Sequence, residues 1–169
     1  HVGSADRRAR FEARQARAGP LRLGFFGYAI PSKGLEFLIE ALEDAGPWAR
    51  EVELWIVCRH NEHLHRRVAR LSGTLAAVRW IDGYDHKELP DILNEIDLGI
   101  LPSIGFETYS ITAYELTMAG VPVVMSDSVG FEELIDRPDF RFRRADKVSL
   151  RATLERLVTD RSLLGGYWG

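Results

Sequence analysis

The stretch that decides the fold is Leu98-Gly-Ile-Leu-Pro-Ser-Ile-Gly-Phe-Glu-Thr-Tyr-Ser-Ile-Thr-Ala-Tyr-Glu-Leu-Thr-Met-Ala-Gly-Val-Pro-Val-Val-Met125. It opens and closes on short apolar runs, Leu98 to Leu101 and Val121 to Met125, with no polar alternation. Such strands suit a parallel sheet covered on both faces by helices. The segment between them ends in Ala119-Gly120, a helix end with glycine at the C′ position. The stretch therefore reads as one strand, loop, helix, strand unit.

Outward from it, four more strand candidates are spaced as βαβ units require: Leu21 to Phe26, Val52 to Val57, Val78 to Ile81 and Phe140 to Phe142. Between them apolar residues recur at helical spacing, as in Leu35, Leu38, Ile39, Leu42 and in Leu89, Ile92, Leu93, Ile96. The predicted fold is a Rossmann-like, doubly wound α/β domain with a parallel sheet of about six strands and helices on both faces. Ligands of such sheets sit outside the carboxyl ends of the strands. Its extent is taken as residues 21–169, preceded over 1–20 by an Arg-rich linker or interdomain helix carrying Arg7, Arg8, Arg10, Arg14 and Arg17, which reads as solvated.

Composition narrows the class. The 169 residues are 46% apolar and 28% charged, ordinary for one globular domain and unlike a disordered or low-complexity chain. No apolar run approaches a membrane span of about 20 residues. Net charge is −3, with 22 basic against 25 acidic residues, so nothing electrostatic recommends nucleic acid as a partner. A lone Cys58 closes no intrachain disulfide and points to a reducing, cytoplasmic compartment. The chain opens on His1 without a signal pattern, as a processed or truncated end would.

The chemistry lies in the loops. Gly27-Tyr28-Ala29-Ile30-Pro31-Ser32-Lys33-Gly34 leads into a helix and places a cation at its start, where the dipole disfavours it. An anion held by Lys33 and free helix amides would justify that arrangement, although a solvent-facing lysine before a turn is the plainer reading. The loop is neither a Walker motif nor a dinucleotide fingerprint. After the fourth strand, Glu107 and Glu115 are separated by seven residues across a loop-to-helix junction, so both can face the crevice from different depths. Free amides of Tyr109, Ser110 and Ile111 would add a second anion site on that rim. Past the fifth strand, Gly130-Phe131-Glu132-Glu133-Leu134 is another acidic helix start.

In this order, Gly27 with Lys33-Gly34, Asp82-Gly83-Tyr84, Asp97 with Leu101-Pro102-Ser103, Glu107 and Glu115, Ala119-Gly120-Val121-Pro122-Val123-Val124, Ser126-Asp127, and Gly130 with Glu133 make the chain from about Leu21 to Asp160 resemble a known family. It is similar to the C-terminal, donor-binding lobe of retaining glycosyltransferases of the GT-B fold, of the large family-four type. The resemblance implies a nucleotide-diphosphate sugar as donor, a hexose-type sugar transferred, and no metal cofactor. Lys33 would neutralise the diphosphate and Glu107 would meet hydroxyls of the transferred sugar, the two forming the catalytic pair. Glu115 would accept from the ribose hydroxyls. Amides of Thr108, Tyr109, Ser110 and Ile111 would cradle the distal phosphate, and backbone around Gly83 and Tyr84 would read the base, with Gly27 and Tyr28 lining the donor site. The acceptor, a glycan, a lipid or a small molecule, would be bound by an N-terminal domain, without which the chain is expected to be inactive. Peripheral membrane association of the full-length protein is compatible with this picture.

Two departures stand out. The family commonly has Arg where this chain has Tyr28, which removes half of a two-cation clamp unless Arg59 or another cation replaces it. The usual Glu-Gly-Phe-Gly loop is Glu107-Thr108-Tyr109-Ser110. Two other classes therefore stay open: a non-catalytic nucleotide-binding module, favoured by Tyr28, and a nucleotide-sugar epimerase on the same fold. His60, His63 and His65 beside Cys58 lack zinc-site spacing and read as a solvated turn and helix start. Trp48, Trp55 and Trp80 read as core or interface residues.

Overall fold

A computed structural model describes residues 3–131 and 137–168. The acidic segment Glu132-Glu133-Leu134 and the terminal Gly169 lie outside the described residues. The strands are β1 (Leu21–Phe26), β2 (Val52–Val57), β3 (Ala77–Ile81), β4 (Leu98–Leu101), β5 (Val123–Ser126) and β6 (Arg141–Phe142). All are parallel, in the order β3-β2-β1-β4-β5-β6. The helices are α1 (Ser4–Gln15), α2 (Leu35–Glu43), α3 (Glu62–Val68), α4 (Leu89–Glu95), α5 (Ile111–Met118) and α6 (Lys147–Thr159).

The sheet is Rossmann-like and doubly wound. From β1 the chain steps outward to β2 and β3, then returns to lay β4 against the other side of β1, in register from Leu23 opposite Leu98 to Phe25 opposite Ile100. Right-handed crossovers then put α2 and α3 on one face and α4 and α5 on the other. The central strands β4 and β5 are buried along their whole length, which is why their sequences carry no polar alternation. β3 is an edge strand and is half exposed.

β5 begins at Val123 rather than at Val121. Pro122 has no N–H for a ladder, and its carbonyl instead accepts from Gly99 at 2.8 Å, while Val121 N–H turns back to the Leu116 carbonyl at 2.9 Å. The Arg-rich N-terminal segment is also less solvated than its composition suggests. It forms α1, which buries Phe11 and Arg14. The Phe11 ring meets Trp168 at 6.0 Å, and the Arg14 guanidinium donates to the Ala119 carbonyl. Burial, reinforced by Arg17, lowers the Arg14 pKa to about 10. Arg17 in turn pairs with the buried Asp97 at 3.1 Å, so the segment is pinned to the α4–β4 junction and to the end of α5.

Candidate functional site

Where β1 and β4 lie side by side, their following loops diverge, because one chain path leads toward β2 and the other toward β5. This switch point is where open α/β sheets bind ligands. A cleft of about 80 Å³ opens there, lined among others by Gly27, Tyr28, Lys33, Ser103, Glu107 and Ser110. Ligand pockets usually enclose roughly 300–1,000 Å³. The cleft is smaller than that.

Lys33 closes a short 3-10 turn, Pro31–Lys33, and Gly34 follows with φ +78°, a left-handed conformation that glycine adopts without strain. A side chain at Gly34 would collide with the Pro102 carbonyl. Ile104 and Gly105 N–H also donate to the Ser32 carbonyl, at 3.0 and 3.1 Å. These contacts clamp the first loop onto the loop after β4 and deliver the Lys33 ammonium to Glu107 Oε1. Two residues expected to meet different parts of a ligand are thus paired with each other.

The second oxygen of Glu107 accepts from Ser103 Oγ at 2.7 Å. Ser103 is itself fixed through its carbonyl, which accepts from Ser126 Oγ at 2.7 Å and from Ser128 Oγ at 3.0 Å. All three serines are buried. The Glu107 backbone bridges Val129: its N–H donates to the Ser128 carbonyl at 3.0 Å and its carbonyl accepts from Gly130 at 2.6 Å. Any side chain at Gly130 would run into the carbonyls of Glu107 and Thr108. Ser103, Ser126 and Ser128 are supports that sequence reasoning missed. Ser103 and Ser126 stand out only as strand ends, and their convergence depends on β4 and β5 being neighbours.

Ser110 is the N-cap of α5, its Oγ accepting from Ala113 N–H at 3.2 Å with the backbone extended. That explains how serine stands in a loop position usually kept as glycine. The amides of Tyr109, Ser110, Ile111 and Thr112 have no acceptor among the described residues, so the start of α5 presents a row of free donors. One helical turn further in, Glu115 is half-buried, and its carboxylate has no hydrogen bond or ion pair among the described residues. Gly83 turns with φ +74° directly before Tyr84. Burial, then the charges of Glu115 and of Tyr28, push the Tyr84 phenol up. Tyr28 is 66% exposed and fills the position where a second cation was expected. Thr108, Tyr109 and Ile111 are exposed along the rim.

The His60 and His65 rings meet at a tilt, 5.1 Å apart, and lie against Trp80, whose indole N–H donates to the Cys58 carbonyl at 2.9 Å. Trp55 is buried beneath the Arg79 guanidinium at 4.5 Å. Burial pushes the Cys58 thiol up, away from nucleophilic character.

Residues 20–160 match the family described as Glycosyl transferases group 1. The chain belongs to that family. This group 1 glycosyltransferase domain is 32% identical over 123 residues to a phosphatidyl-myo-inositol mannosyltransferase of Mycobacterium leprae, covering 70% of the domain and 32% of the relative. It is 30% identical over 137 residues to a glycogen synthase of Mycobacterium tuberculosis, covering 74% and 30%. The domain thus spans about a third of the length of these relatives. Among solved structures, Anabaena Alr3699/HepE in complex with UDP and glucose superposes with TM-score 0.74 at 21% identity, over 99% of the domain and 46% of that chain. The C-terminal domain of LpcC, a group 1 glycosyl transferase from Francisella tularensis, superposes with TM-score 0.73 at 16% identity, over 96% and 87%. The fold is that of one lobe of the GT-B glycosyltransferases.

Proposed function

We propose that the domain binds the nucleotide-diphosphate sugar donor of a retaining glycosyltransferase that moves a hexose-type sugar to an acceptor held by another part of the longer protein. One juxtaposition carries this reading. Lys33, Glu107 and Ser110 line the cleft at the β1/β4 switch point, and the amides of residues 109–112 and the Glu115 carboxylate, which have no partner among the described residues, follow in the loop and first turns of α5. A diphosphate on Lys33 and those amides would have its developing leaving-group charge met by preorganised donors, which is commonly the largest catalytic contribution. Glu115 is left to accept from ribose hydroxyls, and Glu107 from the sugar once Lys33 turns to phosphate. The diphosphate is held in this way without a divalent ion. With the acceptor held elsewhere, the domain alone turns over no donor.

Calorimetric titration with UDP, GDP and ADP, with and without EDTA, tests the proposal. Binding of at least one nucleotide, unchanged by the chelator, is the expected result. No binding by any of them removes the donor-site assignment. Tyr28 favours one other reading, a nucleotide-binding module without catalysis, because it supplies no second cation. Product analysis of the longer protein with donor and acceptor separates the two.

A further inference from the structure

Resting on the nucleotide-sugar reading above, a second question is which base the donor carries, and the sheet itself measures out the answer. Strands stand about 4.8 Å apart, so the three intervals from β4 through β1 and β2 to β3 span roughly 14 Å along the carboxyl edge. The phosphate donors, Lys33 and the 109–112 amides, occupy the β1/β4 end. Glu115 lies one helical turn further along α5. The loops after β2 and β3 form the far end, where the base of an extended nucleoside diphosphate has to lie.

Arg59 occupies that far end. It follows β2, is exposed, and its side chain runs past Gly83, with Cγ 4.0 Å from where a side chain there would begin. Its guanidinium has no hydrogen bond or ion pair among the described residues. The backbone beneath it is firmly held: Cys58 N–H donates to the Ile81 carbonyl at 3.1 Å, and His60 N–H to Asp82 Oδ1 at 2.6 Å. This is an unspent, well-backed fork of donors on the loop facing Gly83, and Tyr84, next in the chain, is 39% exposed and offers a face for stacking.

We propose that Arg59 is the specificity residue of the nucleoside end and selects guanine, its guanidinium donating in bidentate fashion to O6 and N7. A guanidinium only donates, so it needs two adjacent acceptors. Guanine presents them on the edge remote from the ribose. Adenine offers N7 beside an N6 donor there, and uracil alternates O4, N3–H and O2. Cytosine has adjacent N3 and O2, but O2 lies on the ribose side, where Glu115 acts.

The test is calorimetric titration of the domain and of its Arg59→Ala and Arg59→Lys variants with GDP, ADP, UDP, CDP and inorganic pyrophosphate. GDP is expected to bind tighter than ADP by on the order of 10- to 100-fold, a preference that both variants lose. Pyrophosphate affinity is expected to be unchanged. Preference for ADP, UDP or CDP in the unaltered domain overturns the proposal, as does an Arg59→Ala loss that is equal for GDP and pyrophosphate, which makes Arg59 a phosphate ligand. Absence of binding by all four nucleotides overturns this proposal together with the donor-site reading, whereas binding without guanine preference overturns this one alone.

Discussion

Lys33 Nζ donates to one oxygen of Glu107 while Ser103 Oγ donates to the other at 2.7 Å, so the lysine closest to the proposed phosphate position is already engaged. A diphosphate has to compete with Glu107 for it. Glu107→Gln keeps the shape and the Ser103 contact but releases Lys33. Because the Lys33 side chain is 32% exposed, the gain is screened. Affinity for a nucleoside diphosphate is expected to rise about fivefold, close to 1 kcal/mol, while sugar transfer by the longer protein falls. Isothermal titration of the variant measures this, and weaker binding would contradict the competition.

Glu115 stands in the opposite position, half-buried with no partner among the described residues to lose. Glu115→Ala is expected to weaken nucleotide binding by about 1.5–3 kcal/mol and to leave the unfolding midpoint unchanged. Titration with 2′-deoxy and 3′-deoxy nucleotides identifies the hydroxyl involved, since the variant gains nothing from the one that Glu115 holds. Equal losses with every nucleotide would exclude a ribose contact.

The strands were legible because a parallel sheet buried on both faces leaves unbroken apolar runs. β1, β2 and β4 fall where their sequences place them, and Pro122 accounts for the later start of β5. The rim was legible too, as a set of loops at strand ends. The pairing of Lys33 with Glu107 was not, because the two are 74 residues apart and meet only through the close approach of Gly34 to Pro102. The docking of α1 was hidden for another reason. Its buried face is made of Phe11 and the stem of Arg14, and a long charged side chain covers apolar surface without registering as apolar in a pattern.

Gly34 should accordingly be among the least replaceable positions. Gly34→Ala adds a left-handed penalty of roughly 1 kcal/mol to a collision with a backbone carbonyl that cannot swing away. Destabilisation of about 2 kcal/mol or more is expected, together with loss of nucleotide affinity as Lys33 shifts from the rim. Thermal denaturation and titration of the same sample read both effects, and an unchanged midpoint would show that the two loops are free to separate.

Phe11 tests whether α1 belongs to the folded unit. A solvated linker residue tolerates replacement within about 0.5 kcal/mol, whereas a buried phenylalanine costs roughly 3 kcal/mol when cut to alanine. With its ring 6% exposed and against Trp168, Phe11→Ala is expected to show the larger value in urea unfolding. A value near zero would return the segment to linker status.

Tyr167 supplies a pH test of the same region. Its hydroxyl lies 3.0 Å from Thr117 Oγ1, and burial pushes its pKa up to about 12. An unfolded chain releases that proton near pH 10, so between these values the folded state holds more protons than the unfolded one. Stability therefore falls as pH rises through the window, by up to about 1.4 kcal/mol per pH unit and about 2–3 kcal/mol in all. Tyr167→Phe loses the hydrogen bond, costing about 1 kcal/mol at pH 9, but has no phenol to ionise. The unaltered domain should accordingly be the more stable of the two at pH 9 and the less stable at pH 12. Denaturant unfolding of both proteins across that range measures the crossing, and parallel pH profiles would mean that the phenol is open to water in the folded state.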